Sequence, residues 1–343
     1  MQQASEHSYE TLGISVVMPA YNAAHYMPLV LAPLIEMLHA GEVLEVLVVD
    51  DQSTDDTVAV AEKLGATVLI NPVNGGPGAA RNLAAQQAKG DILWFVDSDV
   101  IAWPGGPAQI EQAFRDPGVH AVFGSYDETP AGKSWISQYK NLTHRYYHQR
   151  ADQEASTFWA GCGAVRKSAF LNIDGFDVVT FTRPSIEDID LGYRIRSAGG
   201  RILLLPDLLG KHLKVWTVKN VIHTDIFMRA IPWSRLMLTR EGISNDLNVG
   251  PAERARALFA GLLILSVLAL IVLPGLWPVS VAVILVTFAI NWPFFHFMQK
   301  NGGILFALAC LAFHQIYYIY SSGAFVWCIL ETIVNGKKFQ TSS

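Results

Sequence analysis

The chain has little cysteine, no excess of positive charge and, over one long stretch, almost no charge at all. Cys162, Cys310 and Cys328 are the three cysteines of 343 residues. Odd in number and far apart, they exclude a disulfide framework and a cysteine-built zinc site. Lys and Arg total 25 against 30 Asp and Glu, a net charge of −5 with no basic stripe, which argues against a nucleic-acid partner. Neither a dinucleotide glycine fingerprint nor a P-loop is present, because Gly75-Gly76-Pro77-Gly78 has the spacing of neither. The N-terminus lacks a charged segment followed by an apolar one, so no cleaved signal peptide is expected and the charged part of the chain is expected in the cytoplasm.

Charge is missing where hydrophobicity is concentrated. Mean hydropathy is +0.28, and between residues 257 and 332 the only charged residues are Lys300 and Glu331. Stretches 258–273 and 279–298 are each near the roughly 20 residues that cross a bilayer, and Pro274-Gly275-Leu276-Trp277-Pro278 supplies a turn between them. They read as a transmembrane hairpin. A third stretch, 304–330, is more amphipathic through Gln315, Tyr317, Tyr318, Tyr320, Ser321 and Ser322, so it either spans or lies partly in the interface. Arg254 and Arg256 precede the first span and Lys337 and Lys338 follow the last. Both clusters favour the cytoplasmic side, which conflicts with three full spans. The expected organisation is a domain over 1–240, including interfacial helices over about 214–240, a linker over 241–256, and a membrane segment over 257–335 with two to three transmembrane helices.

In the first 240 residues strand-like runs alternate with helix-like stretches, the pattern of an α/β fold with a mostly parallel sheet flanked by helices. Ile14 to Met18, closed by Pro19, is the first strand, and Val43 to Val49, ending in Asp50-Asp51, the second; a helix is predicted over 26–38 between them. Within Gln52-Ser53-Thr54-Asp55-Asp56-Thr57 a Ser or Thr is placed to cap a helix over 58–64. A third strand over 66–70 precedes the glycine cluster and a helix carrying Arg81. The fourth, Ile92-Leu93-Trp94-Phe95-Val96, ends in Asp97-Ser98-Asp99. Two carboxylates spaced i, i+2 at a strand end are suited to one hard divalent cation, which in turn carries the charge of a diphosphate. Tyr21, Asp50, Asp51 and Arg81 fall at the same edge, where ligands of such sheets bind. Further on, Glu187 and Asp188 open an amphipathic helix, a place where the helix dipole also favours acidic residues. A carboxylate there is suited to take a proton from an attacking hydroxyl.

Val17-Met18-Pro19-Ala20-Tyr21-Asn22, Val49-Asp50-Asp51-Gln52-Ser53-Thr54-Asp55, Gly78-Ala79-Ala80-Arg81-Asn82 and Val96-Asp97-Ser98-Asp99 together resemble the family 2 glycosyltransferases of GT-A fold, over roughly residues 12 to 240. The resemblance implies that Pro19, Tyr21, Asp50, Asp51, Arg81, Asp97 and Ser98 bind a nucleotide-sugar. It implies Asp97 and Asp99 as ligands of Mn²⁺ or Mg²⁺, and Asp188, with Glu187, as catalytic. Phe158-Trp159-Ala160-Gly161-Cys162-Gly163-Ala164 resembles the small-residue loop beside the sugar, which adds Gly161 and Gly163. The Gln-x-x-Arg-Trp pattern of processive members is absent; Lys211 to Thr217 and Asp225 to Trp233 stand in its place and read as an interfacial segment, or as a phosphate or acceptor contact by His212, Lys214 or Arg229.

The expectation is an inverting, metal-assisted transferase, multi-pass in the cell membrane with its catalytic domain cytoplasmic. It would move a sugar from a nucleotide-diphosphate donor to a hydroxyl of a lipid or lipid-linked glycan in cell-envelope synthesis. Alternatives are transfer to a polyprenyl phosphate, which needs no base, a non-catalytic membrane-tethered nucleotide-sugar-binding subunit, and a dinucleotide-dependent oxidoreductase.

Overall fold

The computed structural model describes residues 12–241 and 247–335; Lys337 and Lys338 and part of the expected linker lie outside these. The chain divides into two compact units interleaved in sequence, one of residues 12–125 and 153–213, the other of 126–152 and the described residues of 214–335.

The first unit is built on a nine-stranded sheet. Its strands are β1 (Ile14–Ala20), β2 (Glu45–Asp50), β3 (Thr67–Ile70), β4 (Ile92–Val96), β5 (Val100–Ala102), β6 (Val119–Tyr126), β7 (Glu154–Ala155), β8 (Cys162–Arg166) and β9 (Arg201–His212). Their order is β3-β2-β1-β4-β8-β6-β9-β5, with β7 also on β9. The first four strands pair in parallel. β1, β2 and β4 are buried along their whole length, as strands covered on both faces must be, and this is why they read as continuous apolar runs. The mostly parallel expectation describes that half alone, since β8 runs antiparallel to β4 and β6, and β5 and β7 antiparallel to β9. Pro19 lies within β1 rather than after it, level with Val49, beyond Val17↔Phe95, where the pairing with β4 ends. A missing N–H therefore costs the sheet nothing at that position.

Behind the sheet, Phe95 meets Phe158, Phe170 and Phe176 at ring-centroid distances of 6.3, 5.6 and 5.6 Å, edge-on or tilted as aromatic quadrupoles prefer. The helix expected over 26–38 is Met27–His39. The Ser or Thr cap expected within 52–57 is not made, and Thr57 is itself the first helical residue, its Oγ1 accepting from Ala23 N at 2.8 Å. Ser53 Oγ instead accepts from Asn22 N at 2.9 Å, Thr54 N donates to Asn22 Oδ1 at 2.8 Å, and Asp55 Oδ1 takes the N–H of Thr57 at the start of Thr57–Lys63. Bonding between the two edge loops has won over local capping.

The second unit is helical, with Trp135–His148, Val218–His223, Ile231–Leu236, Pro251–Val272, Trp277–Ile290 and Trp292–Asn335, and π-helical turns at Thr224–Ala230 and Met237–Glu241. Among the described residues two helices, Pro251–Val272 and Trp292–Val334, are long and apolar enough to cross a membrane. The expected span 279–298 is not one helix. Trp277–Ile290 stops at Asn291 (φ −95°, ψ 5°), because Pro293 has no N–H and its ring opposes the carbonyl of Ala289. The next helix is in turn broken at Gly303 (φ 82°, ψ 176°), a conformation open to glycine. The expected linker is also partly helix, since Pro251 begins one.

The amphipathic third stretch spends its polar side chains inside this unit. Tyr318 Oη donates to Glu253 Oε2 at 2.6 Å, Tyr320 Oη to Asp225 Oδ2 at 2.8 Å, and Asn248 Nδ2 to Tyr317 Oη at 2.6 Å. His314 Nδ1 bonds Tyr139 Oη at 2.9 Å, and Arg235 pairs with Glu331 at 3.0 Å. The tryptophans expected at an interface, Trp216 and Trp233, are buried instead; Trp216 packs with Ile136, Val221 and Phe294 in the core of the unit.

Truncating Phe170, buried against both Phe95 and Phe176, removes contact from the layer behind β4. Phe170→Ala should cost about 3–5 kcal/mol, read as a lowered unfolding midpoint of the purified protein in a thermal scan.

Candidate active site

Parallel pairing carries β1, β2 and β4 to one edge of the sheet, so Tyr21, Asp50-Asp51 and Asp97-Ser98-Asp99 emerge side by side. Tyr21 is exposed. Asp50 turns back to accept from Ser53 N at 3.1 Å. The carboxylate of Asp51, buried, accepts from Asn71 Nδ2 at 2.7 Å, Gly75 N at 2.9 Å and Gly76 N at 2.8 Å. Three of its roughly four acceptor directions are thus spent on fixing the glycine loop that opens the helix Gly76–Gln87. Gly76 stands there at φ 81°, where a side chain is disfavoured.

That helix delivers Arg81 into the interior, where it is 4% exposed. Its Nη2 bonds Asp97 Oδ1 at 2.5 Å, its Nη1 lies 3.6 Å from Glu187 Oε1, and its guanidinium stands 5.3 Å from the centre of the Phe176 ring. Among the described residues, Arg81 Nε and Nη1 have no hydrogen-bond partner. Arg81, Asp97 and Glu187, read separately from the sequence, form one ion-paired cluster. Burial raises the carboxyl pKa of Asp97; the Arg81 guanidinium opposes the rise and the neighbouring charge of Asp99 adds to it.

Asp97, Ser98 and Asp99 form a turn closed by Val100 N donating to Asp97 O at 2.9 Å. β5 follows at once and pairs Val100 with His212, bringing His212 Nε2 to 3.4 Å from Asp99 Oδ2. The sequence offers His212 as a phosphate or acceptor contact within a basic stretch, and no spacing links it to Asp99; the link is made by strand pairing. Among the described residues no three Asp, Glu, His or Cys side chains converge as a closed metal cage. The donors present, the carboxylates of Asp97 and Asp99 with an imidazole beside Asp99, nonetheless fit a cation that completes its shell with phosphate and water, as Mg²⁺ does with one or two carboxylates.

Ala160 and Gly161 join this turn to the second acidic group. Gly161 O accepts from Asp97 N at 3.2 Å, and Ala160 N donates to Asp188 Oδ2 at 3.3 Å. Asp188 lies in the first turn of the helix Glu187–Ser197 with its side chain partly open to solvent; Glu187 is buried and also accepts from Ser185 N at 2.8 Å. The two adjacent carboxylates are therefore differently placed, one against Arg81 and one at the surface of the site. Gly163 is inside β8, level with Phe95 and Phe123, where an added Cβ would stand 2.4 Å from Trp159 O. Its smallness serves chain packing at this point. An added Cβ at Gly161 would strike the Trp159 ring at 2.6 Å.

Removing the cation tests the cluster. In Arg81→Met the carboxyl of Asp97 should titrate at higher pH than in the parent, since Arg81 favours its charged form; ¹³C NMR of labelled aspartate reads the shift directly.

Residues 15–174 match the family described as Glycosyl transferase family 2. A poly(ribitol-phosphate) beta-N-acetylglucosaminyltransferase of Staphylococcus aureus is 42% identical over 90 residues, 25% of this chain and 16% of that protein. A pre-mycofactocin glycosyltransferase of Mycobacterium tuberculosis is 29% identical over 196 residues, 52% of this chain and 41% of that one. The chain thus spans less than half the length of these curated relatives. Among solved structures, a mannosyltransferase of Pyrobaculum calidifontis, determined with GDP-Man and Mn²⁺, aligns with TM-score 0.54 and 20% identity over 93% of this chain and 88% of the other, a likeness of fold. The chain carries a family 2 glycosyltransferase domain of GT-A fold.

Proposed function

We propose that the protein transfers a sugar from a nucleotide-diphosphate donor to an acceptor hydroxyl, with inversion at the anomeric carbon. The observation that carries this reading is the Ala160-Gly161 segment, bonded on one side to the Asp97 turn and on the other to Asp188. It supports the reading because it links Asp188, a carboxylate suited to proton abstraction, to Asp97, one of a pair suited to a cation, the two kinds of group that such a displacement uses.

Asp188 takes the proton of the acceptor hydroxyl as that oxygen attacks the anomeric carbon. The C–O bond to the diphosphate breaks in the same displacement, and attack opposite the leaving group inverts the configuration. Tyr21 and Ser98, at the strand edge, would contact the nucleotide, with Asp51 shaping the glycine loop beside them. Arg81 holds Asp97 and Glu187 and so fixes the orientation of both acidic segments. Asp97 and Asp99, with His212 beside them, would hold Mn²⁺ or Mg²⁺, which when bound neutralises charge developing on the departing diphosphate.

The apolar helices of the second unit favour membrane association. Pro251–Val272 has mean hydropathy 2.5 over its most apolar window with only 6% of that window buried, unlike a core helix of a soluble protein. An active domain held at a bilayer favours a lipid or lipid-linked acceptor, on the cytoplasmic face by the position of Arg254 and Arg256.

Asp188→Asn should lower kcat by about 10²–10⁴-fold with donor affinity kept; unchanged turnover would move the assignment to a phosphate acceptor, which needs no base. Release of nucleoside diphosphate from a panel of UDP-, GDP- and dTDP-sugars should require Mn²⁺ or Mg²⁺, stop with EDTA, and be lost in Asp99→Asn. An NMR spectrum of the product with the donor's anomeric configuration retained would overturn the single displacement.

A further inference from the structure

We infer that the pair of helices Pro251–Val272 and Trp277–Ile290 enters the hydrocarbon of a lipid bilayer from one face and returns to that face without its tip emerging on the other. This rests on the membrane association proposed above and goes beyond it, replacing a spanning hairpin by an embedded one.

The register of the two helices is fixed by two bonds. Arg256 Nε donates to Ile290 O at 3.0 Å, and Ser280 Oγ donates to Ser266 O at 3.0 Å. Ser266 is ten residues on from Arg256 and Ser280 ten before Ile290, so the helices run antiparallel and in step, and the turn Pro274–Leu276 is their tip. At 1.5 Å per residue, Leu273 stands roughly 25 Å beyond the level of Arg256. The hydrocarbon core of a bilayer is about 30 Å thick and the whole bilayer about 40–45 Å.

Arg256 sets where the base stops. It is bonded to Glu253 as well as to the Ile290 carbonyl, and Arg254 Nε donates to Val249 O at 3.0 Å. A cluster with two guanidinium groups and a carboxylate belongs at the headgroups and not in hydrocarbon. With the base there, the tip ends inside the apolar layer. The tip suits that place, because in Leu273-Pro274-Gly275-Leu276-Trp277-Pro278-Val279 no side chain is charged and the Trp277 indole is the only one carrying a polar atom.

Along the hairpin the usual arrangement of a water-soluble helix pair is reversed. The buried residues of Pro251–Val272 are Glu253 and Ala260, and those of Trp277–Ile290 are Ser280 and Thr287. The exposed ones include Leu265, Leu268, Ile271, Val272, Ile284 and Leu285. Polar and small groups lie inward and large apolar ones outward on every side, leaving no hydrated face, so the surrounding medium is hydrocarbon. The stretch after the hairpin does not cross either. From His314 to Glu331 it is bonded to Tyr139, Asn248, Glu253, Asp225 and Arg235 of the same unit, residues that cannot be carried through a bilayer one by one.

The test is labelling of single substitutions in the full-length protein, in sealed vesicles of both orientations, with a charged maleimide that cannot cross membranes. The native cysteines are buried and give little background. Gly275→Cys meets no atom within 4 Å of its new Cβ, and Ala252→Cys sits at an exposed site at the hairpin base. Ala252→Cys is expected to react from one face only, and Gly275→Cys from neither until detergent is added, with at least a tenfold rise in labelling on solubilisation. Reaction of Gly275→Cys from the face opposite Ala252→Cys would establish a spanning hairpin and overturn the inference while keeping the membrane reading. Reaction of both from the same face without detergent would place the hairpin in water and overturn the membrane reading too. Protection of Ala252→Cys from both faces would put the base itself in hydrocarbon and likewise defeat the inference.

Discussion

A guanidinium removed from water is the constraint around which the site is arranged. Arg81 cannot shed its charge, and a buried cation without partners is strongly unfavourable, so Asp97 and Glu187 have to approach it. Asp97 comes from the end of β4 and Glu187 from the first turn of a helix ninety residues later in the chain. The meeting of these two segments follows from the need of one side chain. The Phe176 ring below the guanidinium completes the enclosure with a surface that attracts cations.

The site also shows how a sheet that changes direction differs from a uniformly parallel one. In the parallel half, strand ends present loops that bond to one another, as Asn22 does with Ser53 and Thr54, and Asp51 with the glycine loop. In the antiparallel half, β8 begins and β9 ends near the same edge, so Gly161, just before β8, and His212, the last residue of β9, reach the turn at the end of β4. The acidic turn lies at the seam between the two halves, where groups from both directions of chain meet.

Much of the parallel half was legible in the sequence because strands buried on both faces leave continuous apolar runs, and such runs end where the chain turns into solvent. Asp97-Ser98-Asp99 was found that way. Helix-start residues gave Glu187 and Asp188. What could not be read was any relation made by pairing over long separations. His212 beside Asp99 depends on a three-residue strand, β5, too short to signal itself, and Arg81 between two carboxylates depends on the depth of a helix that composition does not report. The Ser or Thr cap expected within 52–57 is not formed because the loop after β1 competes for the same hydroxyls. In the C-terminal region hydropathy marks the apolar stretches, but Pro293 divides the second of them, and Tyr318 and Tyr320, which help to make the third stretch amphipathic, face the unit's own carboxylates.

The interleaving of the two units has a kinetic side. Helix Trp135–His148 leaves the ribosome before β7, β8 and β9 exist, yet Tyr139, Leu142 and Tyr146 find their packing partners among Phe294, Phe295, Met298 and Phe313, which are synthesised some 150 residues later. Until then the apolar face of this helix is covered only in part, by Trp216 and Val221, and closing so long a loop is slow. Synthesis therefore passes through a period in which the sheet can form while an unsatisfied helix is tethered to it, the kind of nascent chain that invites a chaperone or an early approach to the bilayer.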